Sequence, residues 1–215
     1  MIVVDNVWKS FHTRAGVRQV LQGVNMTVRR GDAIGILGRN GAGKSTLLRI
    51  LAGVESPSVG RVHRGMSVSW PLAAGFGVQA SLTGADNARF IARIYNLPIQ
   101  QVLDSVQDFA ELGPYFYEQV RTYSAGMMSR LLLGLSFAVD FECYLVDEAV
   151  SAGDARFAER SRIALEERLS RASLLMVTHS EAHVKMYCRT AAVLHGGRLV
   201  IHEDVDEAIA AYQSL

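Results

Sequence analysis

The sequence predicts an α/β fold: a parallel sheet flanked by helices, opened by an antiparallel β subdomain and interrupted by an inserted helical subdomain. Three observations carry that reading. Short, wholly apolar runs of buried-strand type alternate with helical patterns in the second half of the chain. The first thirty residues hold two strand patterns around a polar turn. Between two strands of the main sheet lies a helical stretch, at about residues 82–139, with apolar residues at helical spacing.

In order, Ile2–Val7 and Val20–Val28 read as strands joined by a polar turn around Thr13–Arg18. Ala33–Leu37 is a buried strand, followed by a glycine-rich loop and a helix over Ser45–Leu51. Gly60–Trp70 holds two short strands. Leu82–Phe109 is helical, with Phe90, Ile91, Ile94 and Leu97 on one face and Pro98 dividing two helices. A loop from Pro114 to Tyr123 precedes an apolar helix over Ala125–Val139 and the strand Phe141–Val146. The remainder alternates a helix (Ala155–Arg171), a strand (Leu174–Val177), a helix (Ser180–Cys188) and two strands (Ala191–Leu194, Arg198–Ile201) around the hairpin signal Gly196-Gly197, then a last helix over Asp204–Tyr212. The expected organisation is one domain over residues 1–215, with the helical insert at about 82–139.

The 215 residues carry a formal charge of +1 with both signs interspersed, so nucleic acid is not an expected partner. No segment approaches the ~18 to 20 uninterrupted apolar residues of a membrane span. The start, Met1-Ile-Val-Val-Asp5, reads as a first strand rather than a leader, which implies a cytoplasmic protein. The two cysteines, Cys143 and Cys188, sit in apolar patterns without metal-ligand spacing and read as buried, reduced thiols.

The chemistry is concentrated in Gly38, Arg39, Asn40, Gly41, Ala42, Gly43, Lys44 and Ser45, which match the phosphate-binding loop pattern between a strand and a helix. Glycines at 38, 41 and 43 let backbone N–H groups approach phosphate oxygens, which the positive end of the following helix also attracts. Lys44 neutralises the terminal phosphates, the Ser45 hydroxyl supplies a magnesium ligand, and Thr46 adds a phosphate hydrogen bond. The bland alternative is a glycine-rich turn with an incidental lysine. Downstream, an apolar strand ends in Asp147-Glu148, two carboxylates at the strand's C-terminal edge beside that loop. Asp147 would hold magnesium through water, and Glu148 would act as general base on the attacking water. ATP and Mg²⁺ are the expected ligands.

Phosphate binding alone leaves the function open. Tyr123-Ser-Ala-Gly-Met127, opening the helix before the Asp147 strand, resembles the signature motif of ABC ATPases, with Ala125 and Met127 departing from the usual LSGGQ. Ser124 and Gly126 survive at the helix N-terminus, where hydroxyl, backbone N–H and helix dipole can meet a γ-phosphate. The resemblance implies a homodimer with two ATP molecules sandwiched between the loop of one chain and Ser124 of its mate. It also implies that Ser151-Ala-Gly-Asp154 is the D-loop, that His179 contacts the γ-phosphate and that Phe11 stacks on adenine, with Trp8 and His12 as neighbours able to substitute. The glutamine that links magnesium to the transport partner falls on Gln79, although Ser69-Trp-Pro-Leu72 occupies the usual strand end.

Trp70-Pro-Leu72, Leu82-Thr-Gly84 with Asp86-Asn87, Tyr123-Ser-Ala-Gly-Met127 and Gly153-Asp-Ala-Arg-Phe157 together resemble the ATPase subunits of bacterial capsular polysaccharide exporters, the KpsT-like proteins. This implies two copies of an integral membrane permease as partners, docked between Trp70 and Tyr95 with Phe76, Phe90 and Tyr95 supplying apolar contacts, and a place on the cytoplasmic face of the bacterial inner membrane. The rivals are the ATPase of a different exporter, a soluble ABC protein acting on nucleic acid or ribosomes, and a small-molecule kinase. The kinase would not explain Ser124, Asp154 and His179 in their order.

Overall fold

The computed structural model describes residues 1–14, 16–72, 75, 77–147 and 154–215. The chain divides into two compact units, one of Met1–Pro71, Phe141–Glu148 and Leu169–Leu215, the other of Leu72–Asp140 and Ala149–Arg168.

The first unit holds two sheets. β1 (Ile2–Thr13), β2 (Gly16–Val28) and β4 (Val59–Arg64) form an antiparallel sheet in the order β2-β1-β4. The second sheet takes β3 (Ala33–Leu37), β5 (Val68–Pro71), β6 (Cys143–Asp147), β7 (Ser173–Thr178), β8 (Thr190–His195) and β9 (Arg198–His202) in the order β5-β6-β7-β3-β8-β9. All its pairings are parallel except the β8–β9 hairpin at the edge. β7 is buried along its whole length and β3 and β6 nearly so, which is why these strands read as continuous apolar runs. The helix α1 (Lys44–Leu51) buries Leu47, Leu48, Ile50 and Leu51 completely in a core shared with Ile36, Cys143, Leu145, Leu175 and Val177. Area bookkeeping gives each such buried side chain about 1.5–3 kcal/mol. α6 (Glu181–Tyr187) and α7 (Val205–Gln213) complete the unit.

The opening hairpin is longer than its hydrophobic pattern indicates. Pairing runs on through residues outside both expected strands and into the expected turn Thr13–Arg18: Ser10 with Gln19, Phe11 with Arg18, His12 with Val17 and Thr13 with Gly16. Apart from Phe11 and Val17 this arm is polar and much of it is exposed, so it lacks the alternation that marks a half-buried strand.

The second unit is helical: α2 (Gly84–Ile94), α3 (Ile99–Ala110), α4 (Ala125–Phe137) and α5 (Ala155–Leu169), which belongs to it as far as Arg168. Two short 3-10 turns, Gly113–Tyr117 and Val120–Thr122, lie in the segment expected to be a loop. Thr83 caps α2 through a reciprocal pair: its Oγ1 accepts from the Asp86 N–H at 3.0 Å and donates to Asp86 Oδ2 at 2.7 Å. α5 joins this unit through Phe157, 5.5 Å from Phe109, and through Arg160, which pairs with Asp108 and Glu111 at 2.6 Å each. The helical unit therefore takes in more of the chain than residues 82–139.

Candidate nucleotide site

The parallel register sets the site's frame. Leu37 pairs with Thr178, and Asp147 pairs with Val177. β3, β7 and β6 therefore end at one level, and the residues that follow, from Gly38 and from His179, emerge along one sheet edge.

From β3 the chain turns through the glycine-rich loop into α1. Gly43 is the N-cap at φ 106°, and a Cβ there would stand 3.0 Å from the Val20 carbonyl oxygen and 3.0 Å from its Cγ1. At Gly38 a Cβ would come within 2.7 Å of the Leu194 carbonyl. Both positions require glycine, one for backbone handedness and closeness, the other for closeness alone. Lys44 is buried, and its Nζ donates to the carbonyls of Gly38 (2.5 Å) and Arg39 (3.3 Å), so the ammonium is held inside the loop's own curve.

A cavity of about 410 Å³ opens over this loop. Its wall brings together Phe11, Asn40, Gly41, Gly43, Lys44, Ser45, Thr46 and Asp147 from the sequence-predicted set, with Thr13, Arg18 and Val20 from the hairpin. Arg39 is exposed and Ala42 is half-buried against the core; neither lines the cavity, and Gly38 reaches it only through its carbonyl on Lys44. The polar lining suits a polyanion: the Lys44 ammonium, the Arg18 guanidinium, the hydroxyls of Ser45 and Thr46, and the N-terminus of α1. Arg18 escapes a sequence reading because its role depends on the register that sets it opposite Phe11. A larger cavity of about 1110 Å³ lies elsewhere in the same unit, walled by residues such as Met26, Arg29, Arg61 and Ile201; it contains none of the motif residues, so chemistry rather than size selects the site.

Ser45 and Asp147 share this wall, and among the described residues no group of three or more His, Cys, Asp or Glu side chains is placed to hold a metal. One hydroxyl and one carboxylate beside a phosphate site fit magnesium, which keeps several waters and takes its remaining ligands from phosphate oxygens. His179 is exposed just past the end of β7. Glu148 and Ser151-Ala-Gly153 lie outside the described residues.

The remaining candidates belong to the helical unit. Ser124 is the exposed N-cap of α4, its Oγ accepting from the Met127 N–H at 3.2 Å. A Cβ on Gly126 would meet nothing closer than that same oxygen at 4.0 Å, so the first turn of α4 is open. Asp154 stands before α5; its Oδ1 accepts from the Phe157 N–H at 2.9 Å and its Oδ2 pairs with Arg130 at 2.6 Å. The Phe157 amide first, and the neighbouring Arg130 charge after it, hold its carboxyl below the usual range. Arg130, whose guanidinium also lies 4.7 Å over the Phe157 ring, thus ties the α4 helix to the candidate D-loop end, a link no motif announces. Gln79 is exposed, with its backbone clasped at both N–H and C=O by the buried Asn87 amide (2.8 and 3.1 Å).

The ABC transporter family model matches residues 21–151. The chain is 49% identical to the capsule polysaccharide export ATP-binding protein CtrD of Neisseria meningitidis serogroup B over 100% of both chains. It is 48% identical to the ATP-binding protein BexA of Haemophilus influenzae over 99% of this chain and 98% of that one, and 40% identical to the polysialic acid transport ATP-binding protein KpsT of Escherichia coli over 99% and 96%. Among solved structures, the dimeric post-hydrolysis state of the ATP-binding cassette MJ0796 bound to ADP and phosphate superposes with a TM-score of 0.78 at 20% identity, covering 93% of this chain and 96% of that one. At that identity the likeness speaks for the fold.

Proposed function

The chain belongs to the ABC transporter family as an ATP-binding subunit, and from that premise we propose that it hydrolyses ATP to power export of a capsular or related cell-surface polysaccharide across the bacterial inner membrane. The observation that carries the ATPase reading is the single cavity in which Phe11, Lys44, Ser45, Thr46 and Asp147 meet. The observation that carries the cargo class is the end-to-end likeness to CtrD at 49% identity.

In this reading Phe11 stacks on adenine, Lys44 and the α1 N-terminus bind the phosphates, Thr46 donates to a phosphate oxygen, and Ser45 with Asp147 hold Mg²⁺, assisted by Gln79. The magnesium ion supplies charge neutralisation across the phosphates when bound. Glu148 takes a proton from the attacking water, and His179 donates toward the γ-phosphate. Ser124 and Gly126 at the head of α4, with Asp154, face the nucleotide of a second copy, so that the working unit is a homodimer closed on two ATP molecules. The dimeric state of MJ0796 supports that assembly.

No helix among the described residues is long and apolar enough to cross a membrane. We place the protein at the cytoplasmic face of the inner membrane, bound to two copies of an integral permease. Phe90, Ile94 and Tyr95 on α2 and just after it are 44%, 56% and 39% exposed and offer the apolar contact; Phe76 lies outside the described residues.

The test is a pair of variants. Lys44→Ala should lose nucleotide affinity, and Glu148→Gln should bind ATP, dimerise and retain under about 1% of turnover, within the range expected for loss of a general base. Undiminished hydrolysis in Glu148→Gln removes that residue from its role. A multi-spanning membrane protein recovered with this variant from ATP-treated membranes supports the exporter; recovery of ribosomes or nucleic acid instead supports a soluble ABC protein.

A further inference from the structure

Beside Phe11 the structure holds a charged chain that no motif contains. Lys9 Nζ lies 5.0 Å from the centroid of the Phe11 ring. Phe11 lines the nucleotide cavity, and Lys9, whose ammonium lies over the ring, is not part of that lining. The ammonium is itself held, pairing with Glu55 Oε1 at 2.9 Å and donating to the Ser56 carbonyl at 2.8 Å, with only 15% of the lysine side chain exposed. The other Glu55 oxygen, Oε2, accepts from Arg49 Nε at 3.0 Å, and Arg49 Nη2 reaches Thr46 Oγ1 at 3.3 Å. A continuous ionic chain therefore runs from the aromatic end of the cavity to its phosphate end.

Each link has a chemical consequence. Burial alone would push the Glu55 carboxyl up, but hydrogen bonds and charge from Lys9 and Arg49 outweigh it and hold the group below the usual carboxylate range. Glu55 thus stays ionised and anchors both cations. An ammonium behind an aromatic ring draws π-density toward itself, which fixes the ring's pose and lowers its repulsion toward the π-face of a purine stacked in front. Arg49 occupies a lone pair of the Thr46 hydroxyl, leaving its proton to point at an acceptor and polarising it as a donor.

We propose that Lys9 is a positioning and specificity residue for the nucleotide base: it backs and polarises Phe11, and Glu55 ties that pose to the phosphate-binding helix α1. The proposal rests on the reading that Phe11 stacks on the base, and deepens it.

The experiment compares dissociation constants of full-length protein for ATP and for inorganic tripolyphosphate, both with Mg²⁺, by titration calorimetry. Tripolyphosphate keeps the anionic contacts and lacks the base. Lys9→Met should weaken ATP binding by about 5- to 10-fold, the scale of a partly desolvated cation–π contact, while tripolyphosphate stays within about twofold. Lys9→Arg, which keeps a cation over the ring and a partner for Glu55, should restore most of the ATP affinity. Phe11→Ala should erase the preference for ATP. Equal weakening of both ligands in Lys9→Met, an unchanged ATP affinity, or no rescue by arginine overturns the proposal. If Phe11→Ala loses the preference while Lys9→Met keeps it, the stacking reading stands and only the role of Lys9 falls. If Phe11→Ala leaves the preference intact, the stacking reading itself fails.

Discussion

Replacing Gly43 with alanine tests whether the loop geometry, rather than the loop's composition, makes the phosphate site. Gly43 sits at φ 106°, where an L-residue pays roughly 1–2 kcal/mol. Its new methyl would also stand 3.0 Å from the Val20 carbonyl and 3.2 Å from Leu21 Cδ2, and relieving that crowding adds about 1 kcal/mol. The total of about 2–3 kcal/mol corresponds to a melting-point drop of roughly 5–10 °C for a chain of this size. Gly41→Ala is the internal control: φ is also positive, at 81°, but the nearest heavy atom is Arg18 Nη2 at 3.9 Å, so only the backbone cost applies. Thermal unfolding of both variants without nucleotide, followed by ATP titration, separates strain from binding. Gly43→Ala should melt several degrees below Gly41→Ala and also bind ATP more weakly, because the hairpin and the loop must part to admit the methyl. Equal melting points for the two variants would show that packing against Val20 does not constrain the loop.

Three further outcomes follow from groups outside the cavity. Arg64 donates from Nε to the Leu51 carbonyl at 2.7 Å and from Nη2 to the Ile50 carbonyl, capping the C-terminus of α1. Arg64→Met should lower stability by about 1–2 kcal/mol, read as a melting-point shift, and a shift below 1 °C would deny the cap a role. Burial pushes the Cys143 and Cys188 thiols up to about 12 each, so both should resist a thiol reagent at pH 8 until the chain unfolds. The same raised values mean that the unfolded chain gives up these protons first, from the ordinary 9.0 upward; stability present below pH 9 should fall as pH rises toward about 12. Rapid labelling of native protein at pH 8 would contradict the burial of either thiol.

What the sequence made legible is what the chain encodes locally. The glycine spacing, Lys44 and Ser45 form one covalent stretch, and the glycines answer constraints the fold imposes within a few ångströms of them. Asp147 was legible for a different reason: a run of apolar residues buried in a parallel sheet can end only where the sheet ends, and the register Asp147–Val177 beside Leu37–Thr178 places that end level with the loop. The hairpin arm was not legible in length, because its mostly polar residues carry no hydrophobic period, and Arg18 was hidden with it. Nor could α5 be assigned to the helical unit, since Phe157 and Arg160 meet Phe109, Asp108 and Glu111 across about fifty residues of sequence.

The chain from Lys9 through Glu55 and Arg49 to Thr46 sharpens this distinction. Its members sit on β1, on the segment after α1 and on α1 itself, and no spacing rule links positions 9 and 55. Lys9 and Glu55 are only 15% and 19% exposed, so the cost of taking both charges out of water offsets much of their attraction, and stability alone gives weak reason to build the pair. What sets the chain apart is where its ends lie: one cation lies over an aromatic ring and another meets a hydroxyl, and that ring and hydroxyl are both on the wall of one cavity. Two ligand-facing groups from separate elements must keep their spacing for a nucleotide to engage base and phosphate contacts together, and a relay of charge-assisted hydrogen bonds is a stiff way to fix it. A network that looks incidental in a stability account thus acquires a physical reason once its two ends are placed on the site.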